Sequence, residues 1–164
     1  AGAGDDTVAG NNQDDTIRGQ GGDDLLNGGS GQDTVRGGEG HDTIEGGIFG
    51  DLLGGGSGND LIDGEGGDDT IHGGAGDDEI VTGDGADDIV IRKGMGQDLV
   101  TDFTDGQDQV DVRALNLQNF GDLQSKYTVI EHQNAVFFDF GDGDTLMLDG
   151  VALADLAYGD FVWF

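Results

Sequence analysis

The sequence predicts an all-β repeat architecture, and three observations predict it. The first ninety residues repeat with a period of nine, giving ten units. Every unit places an aspartate two residues before a large aliphatic residue. Glycine fills the first position of the unit eight times in ten, the second seven times and the fourth eight times. Disordered acidic chains do not hold an aliphatic residue in register across ten units.

The aliphatic positions are Val8, Ile17, Leu26, Val35, Ile44, Leu53, Ile62, Ile71, Ile80 and Ile89. The aspartates are Asp6, Asp15, Asp24, Asp33, Asp42, Asp51, Asp60, Asp69, Asp78 and Asp87. In each unit six turn-prone residues precede three that favour extended structure, because Thr, Leu, Ile and Val suit strands while Gly and Asp avoid them. A three-residue strand turns its middle side chain to one face and its neighbours to the other. One inward aliphatic per nine residues cannot build a core alone, but stacked units can.

Composition narrows the partners. The 164 residues carry 6 Lys and Arg against 35 Asp and Glu, a net charge of −29, which repels nucleic acid and anionic lipid. Without Cys there is neither a disulfide framework nor a thiolate metal site. No run approaches the about 18 apolar residues of a spanning helix, so the chain is not expected to span a membrane. Ala1-Gly2-Ala3-Gly4 has no basic or apolar signal region, so no N-terminal signal peptide is predicted. Charge and glycine concentrate in residues 1–101, which hold 29 of the 35 Gly.

The turn chemistry points to a hard cation. Glycine supplies the positive φ that a tight turn needs, and it leaves carbonyl oxygens free to converge without a Cβ between them. Carbonyls with carboxylates are the ligand set of Ca²⁺, which takes six to eight oxygens, whereas Mg²⁺ keeps its waters. Zinc wants His or Cys, and His41, His72 and His132 have no ligand spacing.

Segments such as Gly37-Gly38-Glu39-Gly40-His41-Asp42-Thr43-Ile44-Glu45 and Gly73-Gly74-Ala75-Gly76-Asp77-Asp78-Glu79-Ile80-Val81 resemble the G-G-x-G-x-D-x-U-x nonapeptide of RTX, or hemolysin-type, calcium-binding domains. The resemblance implies a parallel β-roll with two nonapeptides per turn and ions between loops two units apart. The ligands would come from the ten aspartates above and from Asp98 in an eleventh unit at residues 93–101. Asp108 would serve the last ion or stand as a solvated turn residue. The fourth-position glycines Gly22, Gly31, Gly40, Gly58, Gly67, Gly76 and Gly85 would complete the loops. About eight or nine calcium ions are implied, and nine would offset about 18 negative charges.

Two units depart from the pattern, with Gln13 and Phe49 at the fourth position. Both are even-numbered, so an asymmetric roll is expected, with weaker or missing ions near Asp15 and Asp51. Ile48-Phe49 is either an apolar contact patch or a drifted loop. Ile91-Arg92 interrupts the register by two residues and marks the change from roll to cap.

Residues 102–164 form the expected β-rich cap. A helix is predicted over residues 115–126, strands over 127–132, 135–140 and 144–148, a turn at Gln133-Asn134, and one helical turn over 152–157. The ending Asp160-Phe161-Val162-Trp163-Phe164 resembles the C-terminal signal of type I secretion substrates and also suits a buried last strand.

No H-E-x-x-H, G-x-S-x-G, P-loop or Cys nucleophile is present, and Asp139-Phe140-Gly141 lacks every companion kinase motif. The chain is therefore expected to be non-catalytic and the C-terminal part of a larger protein. The resemblance implies a calcium-dependent folding and secretion module, handled by the type I secretion machinery and secreted to the exterior or cell surface of a Gram-negative bacterium. A polysaccharide- or surface-binding module, like the repeat modules of alginate epimerases, is the alternative. For it, Arg18 and Arg36 share one repeat position.

Overall fold

A computed structural model describes residues 1–163. Its strands in chain order are β1 (Gly2–Ala3), β2 (Thr7–Asn11), β3 (Thr16–Gly21), β4 (Leu25–Ser30), β5 (Thr34–Glu39), β6 (Thr43–Ile48), β7 (Leu52–Ser57), β8 (Leu61–Gly66), β9 (Thr70–Ala75), β10 (Glu79–Val81), β11 (Asp88–Val90), β12 (Gln97–Val100) and β13 (Gln109–Asp111). The helix α1 (Phe120–Lys126) follows, then β14 (Thr128–His132), β15 (Ala135–Gly141), β16 (Asp144–Asp149) and β17 (Phe161–Val162).

Successive strands alternate between two sheets. The first has the order β1-β3-β5-β7-β9-β11-β13-β17, and the second runs β14-β15-β16-β12-β10-β8-β6-β4-β2. From β1 to β13 every pairing is parallel, and up to β11 each paired residue faces its counterpart eighteen positions on, as in Ile17 with Val35 and Leu26 with Ile44. The fold is a parallel β-roll, as the resemblance implies. The aliphatic residues of both sheets meet in one core, where Leu26, Val35, Ile44, Ile62 and Ile71 are fully buried.

The strands are longer than the three residues expected: β3 to β9 each span six. They run through the aliphatic residue into the first three positions of the following unit. Glycine there is still held because the neighbouring turn supplies a partner at every repeat. One residue is left out. From β2 to β9 the register skips the unit's first position, pairing Arg18 with Arg36 and Gln20 with Gly38 but not Gly19 with Gly37.

Past Ile91 the roll continues with shifted spacing, and residues 102–164 extend both sheets. β12 pairs in parallel with β16, which closes a meander through β15 to β14. β17 adds beside β13, with Val110 opposite Phe161. The buried last strand is therefore present, with Phe161 and Trp163 each 4% exposed, while Phe164 lies outside the described residues. The aromatic rings of Phe120, Phe138, Phe161 and Trp163 pack around this end of the core in tilted and edge-on pairs. The expected helix is shorter: Asn116 adopts a left-handed φ of 52°, and α1 starts only where the Asn119 side chain accepts the Asp122 N–H at 3.0 Å. Residues 152–157 form a turn instead of a helical turn, with the Asp155 N–H donating to Ala152 O at 3.0 Å.

Candidate metal centre

All twelve aspartates singled out from the spacing fall into two ladders, one along each edge of the roll. On one edge the N–H of Asp6 donates to Oδ1 of Asp24 at 2.7 Å, and the pattern continues through Asp42, Asp60 and Asp78 to Asp98. On the other it runs from Asp15 through Asp33, Asp51 and Asp69 to Asp87 and Asp108. Each link joins neighbouring turns. The register break is absorbed at the far end, where the step lengthens from eighteen residues to twenty at Asp98 and twenty-one at Asp108.

From Asp24 and Asp33 onward, Oδ1 of each ladder aspartate is therefore satisfied. The other is the informative one. Oδ2 of Asp24, Asp33, Asp42, Asp51, Asp60, Asp69, Asp78 and Asp87 is buried without any hydrogen-bond donor. Burying a carboxylate oxygen without a donor costs several kcal/mol, so each of the eight calls for a cation beside it or a proton on it. Burial pushes the carboxyls up, to about 7 for Asp60 and Asp69, about 6 for Asp51 and Asp87, and about 8 for Asp98. Neighbouring carboxylates along each ladder add to this, while the backbone N–H bonds oppose it.

The remaining donors are main-chain carbonyls. An ideal Cβ at Gly37 would lie 2.1 Å from Asp42 Oδ2 and 2.5 Å from the carbonyl oxygen of Gly55, one turn on. The space beside the first-position glycine is thus a cradle in which a carboxylate and a carbonyl converge, and the strand register skips that residue. Gly19, Gly28, Gly46, Gly55 and Gly73 repeat the close approach to their own unit's Oδ2. Among the described residues no cluster of three or more His, Cys, Asp or Glu forms. A carboxylate oxygen beside a main-chain carbonyl oxygen, repeated from turn to turn, is a donor set that fits calcium and not zinc.

The fourth-position glycines have a different task. Gly22, Gly31, Gly40, Gly58, Gly67, Gly76 and Gly85 all have positive φ, and a Cβ at Gly58 would lie 2.0 Å from Gly40 O. They let the turns stack. Sequence reasoning named these and left the first-position glycines without a role, although their eightfold recurrence was the signal. The Phe49 unit, expected to be broken, keeps the left-handed turn with φ 79°, and Asp51 keeps both ladder bonds at 2.7 Å. Asp108 is 1% exposed and so is not a solvated turn residue. Its Oδ2 already accepts from Thr82 Oγ1 at 3.2 Å and Thr104 N at 2.8 Å, so it closes its ladder differently from the others.

A pH dependence follows. In the unfolded chain Asp51, Asp60, Asp69, Asp87 and Asp98 titrate near pH 3.9, and in the folded, metal-free chain between about 6 and 8. The folded state then binds more protons across that window. Its stability is present below about pH 4 and is lost as pH rises through 6 to 8. With chelator present, the urea midpoint is expected to be higher at pH 5 than at pH 8; a higher midpoint at pH 8 would contradict the ladder electrostatics.

Comparison with known proteins agrees with this geometry. The family of RTX calcium-binding nonapeptide repeats matches residues 1–35, 21–53 and 54–89. No curated protein matches the chain in sequence. Among solved structures, the AlgE6R3 subunit from the Azotobacter vinelandii mannuronan C5-epimerase superposes with a TM-score of 0.53 at 21% identity, over 99% of this chain and 80% of that one. The extracellular lipase LipA from Serratia marcescens gives a TM-score of 0.50 at 16% identity, over 97% of this chain. The chain spans 38% of the length of that lipase. Both likenesses concern the fold. With its repeats matched over more than half its length, the chain belongs to the RTX calcium-binding nonapeptide repeat family.

Proposed function

We propose that this calcium-binding module is a folding switch for a larger exported protein. One observation carries the reading: eight buried carboxylate oxygens, aligned along two edges, have no donor among the described residues. In a chain of net charge −29 these groups repel one another until cations sit between the turns. At cytosolic calcium the chain stays unfolded and passes the type I secretion machinery; outside a Gram-negative cell, calcium drives it into the roll. About eight or nine ions bind, more weakly near Asp15 and Asp51. Residues 102–164 cap the array, because a stack of repeats needs a closed end, and Asp160–Phe164 serves as the export signal.

Far-UV circular dichroism through a calcium titration tests this, with magnesium as control. A cooperative gain of β signal near millimolar calcium, absent with magnesium, is expected. A β signal already complete in EDTA at low salt would overturn the switch.

A further inference from the structure

One turn of the ladder lacks the glycine that opens the cradle. From Asp15 to Asp78 each ladder aspartate has a glycine five residues before it, Gly10 to Gly73, and a Cβ there would lie within 2.8 Å of that aspartate's Oδ2. Before Asp87 the same position is Thr82, which carries the Cβ the others lack and is fully buried. Its carbonyl keeps the ordinary duty. A Cβ at Gly64 would fall against Thr82 O and Asp69 Oδ2, so the Asp69 cradle is complete. The Thr82 side chain has another task.

Its hydroxyl lies 3.0 Å from Asp102 Oδ1 and 3.2 Å from Asp108 Oδ2, and its one proton serves both. The Thr82 N–H donates to Asp102 Oδ1 at 2.7 Å and the Gly83 N–H to Asp102 Oδ2 at 2.9 Å. Asp108 Oδ1 accepts the Asp87 N–H at 3.2 Å, and Asp108 Oδ2 accepts the Thr104 N–H at 2.8 Å. All four oxygens of these two carboxylates therefore have donors, and of the three carboxylates at this turn only Asp87 keeps an oxygen without one. Hydrogen bonds to an ionised acceptor are roughly twice as strong as neutral ones. Calcium needs six to eight oxygens at about 2.3–2.6 Å. An ion at this turn would have to displace the threonine side chain and strip donors from both carboxylates.

We propose that Thr82 ends the calcium array one turn before the aspartate ladder ends. Each first-position glycine from Gly10 to Gly73 opens one ion site, eight in all. The Asp87 turn takes no ion and is clasped to Asp102 and Asp108 by hydrogen bonds. Asp102 stands where the nine-residue period is lost, so the clasp joins the last regular turn to the cap. The joint contributes equally at high and low free calcium, because no cation takes part in it. The inference rests on the calcium-binding cradles and not on the folding switch.

Equilibrium dialysis at the lowest calcium that fills the parent chain, with elemental analysis of both chambers, counts ions per chain. Circular dichroism in calcium first checks that each variant is folded. Asp69→Asn is the reference and is expected to lose one ion. Asp87→Asn, at the same ladder position one turn on, is expected to lose none. Thr82→Gly is expected to gain one ion, and adding Asp87→Asn to it is expected to remove that ion again. Thr82→Val keeps the bulk without the hydroxyl, so its count is expected to hold while its urea midpoint falls. Loss of an ion in Asp87→Asn, or no gain in Thr82→Gly, would overturn the proposal. An unchanged midpoint in Thr82→Val would overturn the clasp. No loss in Asp69→Asn would instead overturn the cradle reading beneath it.

Discussion

Lowering free calcium from about 1 mM to about 0.1 µM is expected to remove about 11 kcal/mol of folding stability. The figure follows from mass action. Eight sites with dissociation constants near 0.1 mM, about the range of extracellular modules, each contribute about 1.4 kcal/mol at the higher concentration and almost nothing at the lower. The total matches the whole stability of an ordinary domain, about 5–15 kcal/mol. Eight is also the number of buried Oδ2 atoms without a donor. Urea unfolding at the two calcium levels measures it. A midpoint that does not move would mean that the ladders are stable by themselves.

Gly55→Ala and Gly54→Ala are expected to behave oppositely, although the residues are neighbours. A Cβ at Gly55 would lie 2.2 Å from Asp60 Oδ2 and 2.5 Å from Gly73 O, inside the cradle. The Asp60 carboxylate is held through its other oxygen by the Asp42 N–H at 2.8 Å, and Gly73 O belongs to the backbone of the neighbouring turn, so relief costs about 1–3 kcal/mol of overpacking, and the adjoining site weakens as well. At Gly54 the nearest atoms are 3.9 and 4.0 Å away, an ordinary contact. Alanine there reduces the freedom of the unfolded chain and is expected to be neutral or up to about 1 kcal/mol stabilising. Urea midpoints at millimolar calcium compare the two directly. Equal losses would show that glycine is needed along the whole strand and not at the cradle.

Most of the roll was legible because its physics is local and repeated. The Asp at position six and the aliphatic residue at position eight recur ten times, and period two within a short strand decides which side chain turns inward. The cap was less legible. Its three meander strands followed from alternation and the Gln133-Asn134 turn, but the helix start was set by Asn116 and Asn119, whose turn and capping geometry competes with helix propensity.

The Phe49 turn shows where local inference fails. This unit lacks the fourth-position glycine, which is why weaker ion binding was expected near Asp51; the turn itself is kept, because the Asp51 ladder bonds and the turns on either side hold Phe49 at φ 79°. Stacking outweighs one residue's preference.

By itself the sequence determined the nine-residue period, the inward aliphatic column and the aspartate two residues before each of its ten members, and it left Asp108 open between ligand and solvated turn. Only the tertiary structure decided which oxygen of each aspartate is left without a donor, and that the first-position glycine opens the cradle. The reason is physical: periodicity is a property of one strand, whereas a cradle exists only between turns eighteen residues apart.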